Sequence, residues 1–183
     1  MLRSFRHDGI LFYSLFTTYR ISCCNRTSTP HIAVMSENIH VTCAHCGATN
    51  RVPRDKLRQS PRCGKCRQPV FSGVPRDIGG PGLDAFLQHN DLPVLVDCWA
   101  PWCGPCRSFA PQFDKAAAAW EPVLRFARLN TDDEPQVAAR WGIRSIPTLI
   151  LFRGGKEVQR ISGALPLQQL QKWLQQAGVN SEE

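Results

Sequence analysis

Residues 93–106 read PVLVDCWAPWCGPC, and this stretch decides the fold. Its first half is an apolar, β-branched run of strand length. Two cysteines, Cys103 and Cys106, follow where the strand pattern gives way to a helical one. Apolar residues then recur at helical spacing: Phe109, Phe113, Ala116 and Trp120. The stretch therefore predicts a buried strand that leads, through a C-x-x-C pair, into an amphipathic helix.

Strands and helices continue to alternate on both sides of this stretch. Leu83, Phe86 and Leu87 give a short helical face before it, and VLRFARLN at 123–130 is a second strand after it. A short helix over 134–141 and a hairpin with its turn at 153–156 come next. An amphipathic helix that starts near Pro166 closes the pattern. Alternation of this kind predicts an α/β sheet with helices on both faces.

Three C-x-x-C pairs account for six of the nine cysteines. They are Cys43/Cys46, Cys63/Cys66 and Cys103/Cys106, while Cys23, Cys24 and Cys98 are left over. The odd total argues against a closed framework of disulfides. C-x-x-C spacing favours metal or redox chemistry in a reducing compartment.

The pair Cys103/Cys106 suits thiol–disulfide exchange. We expect Cys103 at a helix N-terminus with its sulfur facing solvent, where the helix dipole stabilises a thiolate. Cys106 could then attack a mixed disulfide formed by Cys103, and Gly104 and Pro105 make the turn between them. The alternative is a metal site on this pair, which would need two further ligands.

Asp97 interrupts the apolar strand that precedes the pair. A buried carboxylate is costly and usually has a purpose. Because burial raises the pKa of a carboxyl group, Asp97 could take the proton of Cys106 as that residue becomes a nucleophile. The alternative is an aspartate that faces water or has a purely structural partner.

The first two pairs predict a four-cysteine zinc site. Sixteen residues separate Cys43-x-x-Cys46 from Cys63-x-x-Cys66, a spacing typical of such sites. Four thiolates complete a tetrahedral shell and leave no open position, so one structural zinc ion is expected. His45 would then be exposed rather than a ligand. The alternative is a second redox relay that feeds Cys103 and Cys106.

Charge is unevenly distributed along the chain. Residues 35–75 carry seven Lys/Arg against two acids, whereas residues 76–183 carry eleven against twelve. A basic zinc segment could contact phosphates, but residues 40–72 hold a single aromatic, Phe71, so stacking on nucleic-acid bases is unsupported. No apolar run reaches the roughly 18 residues of a spanning helix. We therefore expect neither nucleic acid nor a membrane as partner.

The chain divides into four segments on this basis. Residues 1–34 form an extension for which three interpretations stay open: a segment upstream of a true start at Met35, a targeting segment or a structured arm. The zinc module spans residues 40–72. Glycines and prolines mark residues 73–82 as a linker, and the α/β domain spans 83–179.

Four motifs now identify a resemblance. VDCWAPWCGPC, RWGIRSIPT, FRGGKEV and SGALP stand in the order and spacing of the thioredoxin family, over about residues 76–179. With two C-x-x-C pairs ahead of it, the chain resembles the bacterial zinc-containing thioredoxin 2 type. The resemblance implies a three-layer α/β/α thioredoxin-like fold after a small four-cysteine zinc ribbon. It also implies a protein dithiol–disulfide oxidoreductase without a bound organic cofactor.

The resemblance carries over residue by residue. Cys103 would be the nucleophile, Cys106 the resolving cysteine and Asp97 the proton acceptor. A docking surface for disulfide-containing proteins would include Trp102, Gly104, Pro105, Gly142, Ile146, Pro147 and Gly163. Pro147 would follow a cis peptide bond. The reduced form would be regenerated by a flavin- and NADPH-dependent thioredoxin reductase, and the protein would be a monomer in the bacterial cytoplasm.

Two positions depart from the family pattern. Cys98 stands where most members have Phe, and we expect it to be a buried, inert thiol that faces away from Asp97, with a regulatory thiol as the alternative. Arg128 stands where many members have Lys. Since Arg does not give up its proton readily, a lysine-like role in tuning Asp97 is doubtful.

The sequence leaves two alternative functions open. The zinc ribbon could be a binding module for nucleic acid or protein. The chain could also be an oxidant-sensing switch that releases zinc.

Overall fold

A computed structural model describes residues 37–180 of the chain. Seven strands are present in this range: β1 Asn38–Thr42, β2 Thr49–Pro53, β3 Arg76–Asp77, β4 Val94–Trp99, β5 Arg125–Asn130, β6 Thr148–Arg153 and β7 Lys156–Ser162. Four α-helices accompany them: α1 Gly82–Gln88, α2 Gly104–Trp120, α3 Pro135–Arg140 and α4 Leu167–Gln176. The extension 1–34, with Cys23 and Cys24, lies outside the described residues.

Five strands form a mixed sheet in the order β3-β5-β4-β6-β7. Strands β3, β5 and β4 run parallel, while β6 and β7 are antiparallel to their neighbours. Helices α2 and α4 pack on one face of the sheet, and α1 with part of α3 packs on the other. The predicted three-layer α/β/α domain is thus confirmed.

Strand β4 is central, and its side chains alternate between the two faces. Leu95 packs in the core on the α2 side, whereas Val94, Val96 and Cys98 pack in the core on the α1 side. This burial on both faces is why the strand reads as a continuous apolar run. The alternation directs Asp97 to the α2 side, because its register partner Leu149 belongs to that core.

The zinc module is a hairpin of β1 and β2 followed by the second cysteine pair. Its small core contains Ile39, Val41, Val52 and Val70 and also includes Leu92 from the α/β domain. A module this small buries little apolar surface of its own. Contact with the larger domain therefore supplements its core.

Residues 73–82, which the glycines and prolines indicate as a linker, contribute to the sheet. Arg76 and Asp77 form β3, which pairs with β5, and the Ile78 amide donates to the Arg128 carbonyl at 2.9 Å. Ile78 is also buried in the core on the α1 side. A two-residue edge strand has too few residues to show an alternating pattern, so sequence reasoning missed it.

Among residues 37–180, no helix combines the length and apolar character needed to cross a membrane.

Candidate redox and zinc sites

Cys103 and Cys106 lie at the start of helix α2 and are joined by a disulfide bond. Cys103 is the N-cap residue, and its Sγ accepts a hydrogen bond from the Cys106 amide at 3.2 Å. Pro105 occupies the first turn, where its missing N–H costs no helical hydrogen bond. The pair therefore sits where backbone N–H groups favour a thiolate on Cys103.

The Cys103 sulfur is less open than the sequence suggests. The residue is 4% exposed and Cys106 is 2% exposed. Cys103 Sγ lies 3.8 Å from the Ile146 carbonyl oxygen, so the loop before β6 covers it. The difference arises because this loop is distant in sequence from the cysteine pair. It places Ile146, which the resemblance assigns to the docking surface, directly beside the sulfur.

Asp97 is buried on the α2 side of β4 without a compensating partner. It is 1% exposed, and its Oδ1 has no hydrogen-bond partner among the described residues. Desolvation raises the pKa of Asp97 to about 7, while the positive charge of Arg128 opposes this rise and Asp114 adds to it. A carboxyl group with a pKa in this range can accept and release a proton near neutral pH.

The Arg128 guanidinium is held on helix α2 and makes no hydrogen bond to Asp97. Its Nη2 donates to the Ala110 carbonyl at 3.1 Å and to Asp114 Oδ1 at 2.9 Å. The group also lies over the Phe113 ring, 5.7 Å from its centroid. Arg128 is therefore a nearby charge for Asp97 rather than its hydrogen-bonded counter-ion.

The loop before β6 brings the predicted docking residue Ile146 beside Cys103. The peptide bond between Ile146 and Pro147 is cis, as the resemblance implies. The Gly163 amide donates to the Pro147 carbonyl at 2.8 Å, so the loop after β7 holds the loop before β6. Both Gly142 and Gly163 have positive φ angles, 63° and 103°, which favour glycine at these positions.

Trp102 is the largest exposed side chain beside the cysteine pair. Its indole Nε1 donates to Asp132 Oδ2 at 2.9 Å. Sequence reasoning missed Asp132. The only signal was the pair of aspartates directly after β5, and nothing in that pattern indicates contact with a residue thirty positions away.

Cys98 is a buried thiol on the opposite face of β4 from Asp97. It lies in the core on the α1 side, and burial raises its pKa to about 12. The thiol form thus predominates at physiological pH. The expectation of an inert, buried side chain facing away from Asp97 agrees with this environment.

The four cysteines of the zinc module converge. Their sulfur atoms all lie within 4.8 Å of one another, with 3.7 Å between Cys43 and Cys66 and 3.6 Å between Cys46 and Cys63. Four sulfurs bound at about 2.3 Å to one tetrahedral zinc ion lie about 3.8 Å apart. The donor set and its dimensions therefore fit zinc. His45 is exposed and is not part of the cluster.

The two cysteine pairs are held by the same backbone turn. The Gly47 amide donates to the Cys43 carbonyl at 3.1 Å, and the Arg67 amide donates to the Cys63 carbonyl at 3.0 Å. Gly47 and Arg67 follow the second cysteine of their pairs and have positive φ angles of 72° and 64°. The first knuckle uses glycine for this conformation, while the second tolerates the strain of a side chain.

Backbone contacts attach the zinc module to the α/β domain. The buried Arg125 guanidinium donates to the carbonyls of Val70 and Thr42 at 3.2 and 3.3 Å. Arg76 Nη1 donates to the Cys43 carbonyl at 2.5 Å. Thus two arginines of the larger domain bind the backbone close to the four-cysteine cluster, a contact that sequence reasoning missed.

Comparison with known proteins agrees with both sites. The family model described as Thioredoxin matches residues 81–176, and the one described as Thioredoxin 2, N-terminal, a zinc ribbon, matches residues 42–68. Thioredoxin C-3 of Corynebacterium nephridii is 45% identical over 136 residues, which cover 74% of this chain and 93% of that protein. Thioredoxin 1 of a Nostoc strain is 51% identical over 86 residues, covering 47% of this chain and 80% of its own length.

Solved structures agree as well. A mutant thioredoxin from Halobacterium salinarum superposes with a TM-score of 0.52 at 30% identity, covering 59% of this chain and 93% of the other. The disulfide at the start of α2 and the sheet order agree with these matches, and thioredoxin C-3 is matched over most of both chains. This protein therefore belongs to the thioredoxin family and is a dithiol–disulfide oxidoreductase with protein disulfide reductase activity.

Proposed function

We propose that this chain reduces disulfides in other proteins, with Cys103 as the attacking and Cys106 as the resolving cysteine. The observation that carries the assignment is the position of Cys103: it caps helix α2 and lies 3.8 Å from the Ile146 carbonyl. A substrate held at that loop would meet Cys103 first. Cys106 follows in the first turn of the helix and is buried.

The exchange transfers two electrons from the chain to its substrate. The Cys103 thiolate attacks one sulfur of the substrate disulfide, that S–S bond breaks, and the other substrate sulfur leaves as a thiolate. The Cys106 thiol then loses its proton and attacks the Cys103 sulfur. The mixed disulfide breaks, the second substrate thiolate leaves, and the Cys103–Cys106 disulfide remains.

Asp97 would accept the proton of Cys106. The carboxyl group is on the α2 side of the sheet, has a pKa of about 7 and keeps Oδ1 without a partner within residues 37–180. Because burial disfavours the charged form and Oδ1 has no donor to stabilise it, the carboxylate has the basicity that proton transfer needs. The proton passes to solvent or to the leaving thiolate when the cycle closes.

The docking surface would hold an extended substrate segment against the Ile146 backbone. Main-chain hydrogen bonds at such an edge give affinity with little dependence on sequence. Trp102 supplies exposed aromatic surface beside the sulfur. Gly142 and Gly163 leave room for a close approach, because no atom lies within 4 Å of where a Cβ would stand.

The reduced form would be regenerated by a thioredoxin reductase that takes electrons from NADPH through its flavin. A thiolate of the reduced reductase would attack the Cys103–Cys106 disulfide at the same surface, and the chain would leave as the dithiol while the reductase is oxidised. We also propose that the chain acts as a monomer in the bacterial cytoplasm. The bacterial source of thioredoxin C-3 supports that location.

The zinc ion would be structural. Cys43, Cys46, Cys63 and Cys66 would hold it in a closed shell that offers no position to a substrate or water. Bound to zinc, these thiolates cannot pass electrons to Cys103 or Cys106, so a redox relay is not favoured. Phe71 lies against Arg125, 4.9 Å from its guanidinium carbon, and is thereby engaged within the protein rather than free to stack on a nucleic-acid base.

An insulin-reduction assay tests the proposal. With NADPH and a bacterial thioredoxin reductase, the zinc-loaded chain should reduce insulin catalytically, and Cys103→Ser should be inactive. Arg51→Gln, on an exposed zinc-module strand, is the matched control and should retain full activity. Equal activity of Cys103→Ser and the unchanged chain would reject the assignment.

A further inference from the structure

A cleft of about 390 Å³ opens beside the loop that carries Ile146 and Pro147. Its lining includes Gly142, Arg144, Ser145, Thr148, Arg160 and Ser162, and no acidic residue contributes to it. The cleft lies on the α1 side of the sheet, because Thr148 and Ser162 are register partners on that face, opposite Asp97. It is therefore separate from the buried proton acceptor.

Arg144 gives the cleft an unneutralised positive charge. The side chain is exposed, and within residues 37–180 it makes no ion pair or side-chain hydrogen bond. The second cation, Arg160, is held by Glu157, which accepts from both Nε and Nη2. Arg144 is thus the cation available to a ligand, and Arg160 is a neighbour whose charge is already partly balanced.

The floor of the cleft is fixed by hydroxyl contacts of Thr148. Thr148 Oγ1 donates to the Ser145 carbonyl at 2.7 Å and lies 3.0 Å from Ser162 Oγ. Thr148 is almost fully buried, while Ser145 and Ser162 are exposed at the rim. The floor is therefore polar, uncharged and held in place, and it can contact a side chain that enters.

The cleft is continuous with the docking surface. Gly142 belongs to both, Ser145 directly precedes Ile146, and Ser162 directly precedes Gly163. Successive side chains of an extended segment point to opposite sides. A segment paired with the Ile146 backbone would therefore direct some of its side chains towards the cleft and the others away from it.

We propose that this cleft is a specificity pocket for an acidic side chain of the substrate protein, close in sequence to the disulfide that is reduced. Arg144 is its counter-ion, while the charge of Arg160 is balanced by Glu157. The inference rests on the proposed docking at Ile146 and adds a preference among substrates. Because Arg144 is exposed, it acts mainly on encounter and orientation, which are sensitive to ionic strength.

Three short peptides with the same intramolecular disulfide test this preference. They differ only in the residue beside the attacked cysteine, which is Glu, Gln or Lys. In single-turnover reduction by the reduced chain at low salt, the Glu peptide should react about tenfold faster than the Lys peptide, as expected for a steered charge pair. Raising the salt concentration to about 0.5 M should bring the Glu-to-Lys rate ratio close to one.

Substitutions then locate the preference. Arg144→Gln should lower the Glu-to-Lys rate ratio at low salt to about twofold or less, whereas Arg51→Gln, an equal change of net charge on β2 of the zinc module, should leave it intact. The same ratio for all three proteins would overturn the pocket. Equal rates for the three peptides would overturn it while leaving the proposed function standing. Failure to reduce any of them would count against the proposed function itself.

Discussion

Replacing Arg125 with methionine should destabilise the protein strongly, although the residue is far from the redox site. The side chain is 1% exposed and pairs with Glu121, 4% exposed, at 3.3 Å. It also donates to two carbonyls of the zinc module. Loss of the cation leaves a buried carboxylate and two buried carbonyls without this donor, so we expect the free energy of unfolding to fall by about 3–5 kcal/mol.

The loss should depend on pH in a defined direction. Burial raises the pKa of Glu121, and the charge of Arg125 opposes that rise. Without Arg125 the pKa of the folded state rises further above that of the unfolded chain. The folded variant then binds a proton that the unfolded chain releases, so the contribution of Glu121 to stability is greatest below the ordinary glutamate pKa of about 4.3 and falls as pH increases through the raised value.

Two controls make this test specific. Arg140 pairs with Asp84 at the same 3.3 Å, but the side chains are 54% and 62% exposed, so Arg140→Met should cost at most about 1 kcal/mol. The double variant Glu121→Gln/Arg125→Met removes both charges and should be more stable than Arg125→Met at pH 8. Urea unfolding of the zinc-loaded, oxidised protein measures the unchanged chain and the three variants. A loss for Arg125→Met no larger than that for Arg140→Met would refute the reasoning.

Three further predictions concern the two sites. Asp97→Asn should slow single-turnover insulin reduction about 100-fold at pH 7.5 and remove the rise in rate near pH 7. Because the raised pKa of Asp97 costs stability above pH 7, the variant should also resist urea better at pH 8. An unchanged pH–rate profile would count against Asp97 as the proton acceptor. Metal analysis should find one zinc per chain, lost in Cys63→Ser and retained in Cys106→Ser; the reverse pattern would reassign the ligands. Iodoacetamide should label Cys103 in the reduced, zinc-loaded protein within minutes and leave Cys98 unlabelled, as mass spectrometry of peptides can establish.

Local patterns were sufficient to predict much of the fold. The apolar run predicts β4, and the helical spacing after Cys106 predicts α2. The turn at 153–156 predicts the hairpin of β6 and β7. The four-cysteine cluster follows from spacing, because two C-x-x-C pairs separated by sixteen residues are typical of a zinc site. These features depend on residues close together in the chain.

Contacts between distant residues could not be predicted in the same way. Arg125 reads as one residue of a strand, yet its partners lie 55 and 83 positions away, in the zinc module. The indole of Trp102 is oriented by Asp132, thirty positions on. The sequence around a charged strand residue does not show which backbone carbonyl groups its side chain will hydrogen-bond, since that depends on how the modules pack.

Trapping the mixed disulfide tests the central claim, the order of the two cysteines, most directly. Reduced Cys106→Ser can attack through Cys103 but cannot resolve, so incubation with oxidised insulin should give a stable one-to-one adduct in intact-mass analysis that dithiothreitol removes. Cys103→Ser should give no such adduct under the same conditions. An adduct with Cys103→Ser and none with Cys106→Ser would contradict the assignment and make Cys106 the attacking residue.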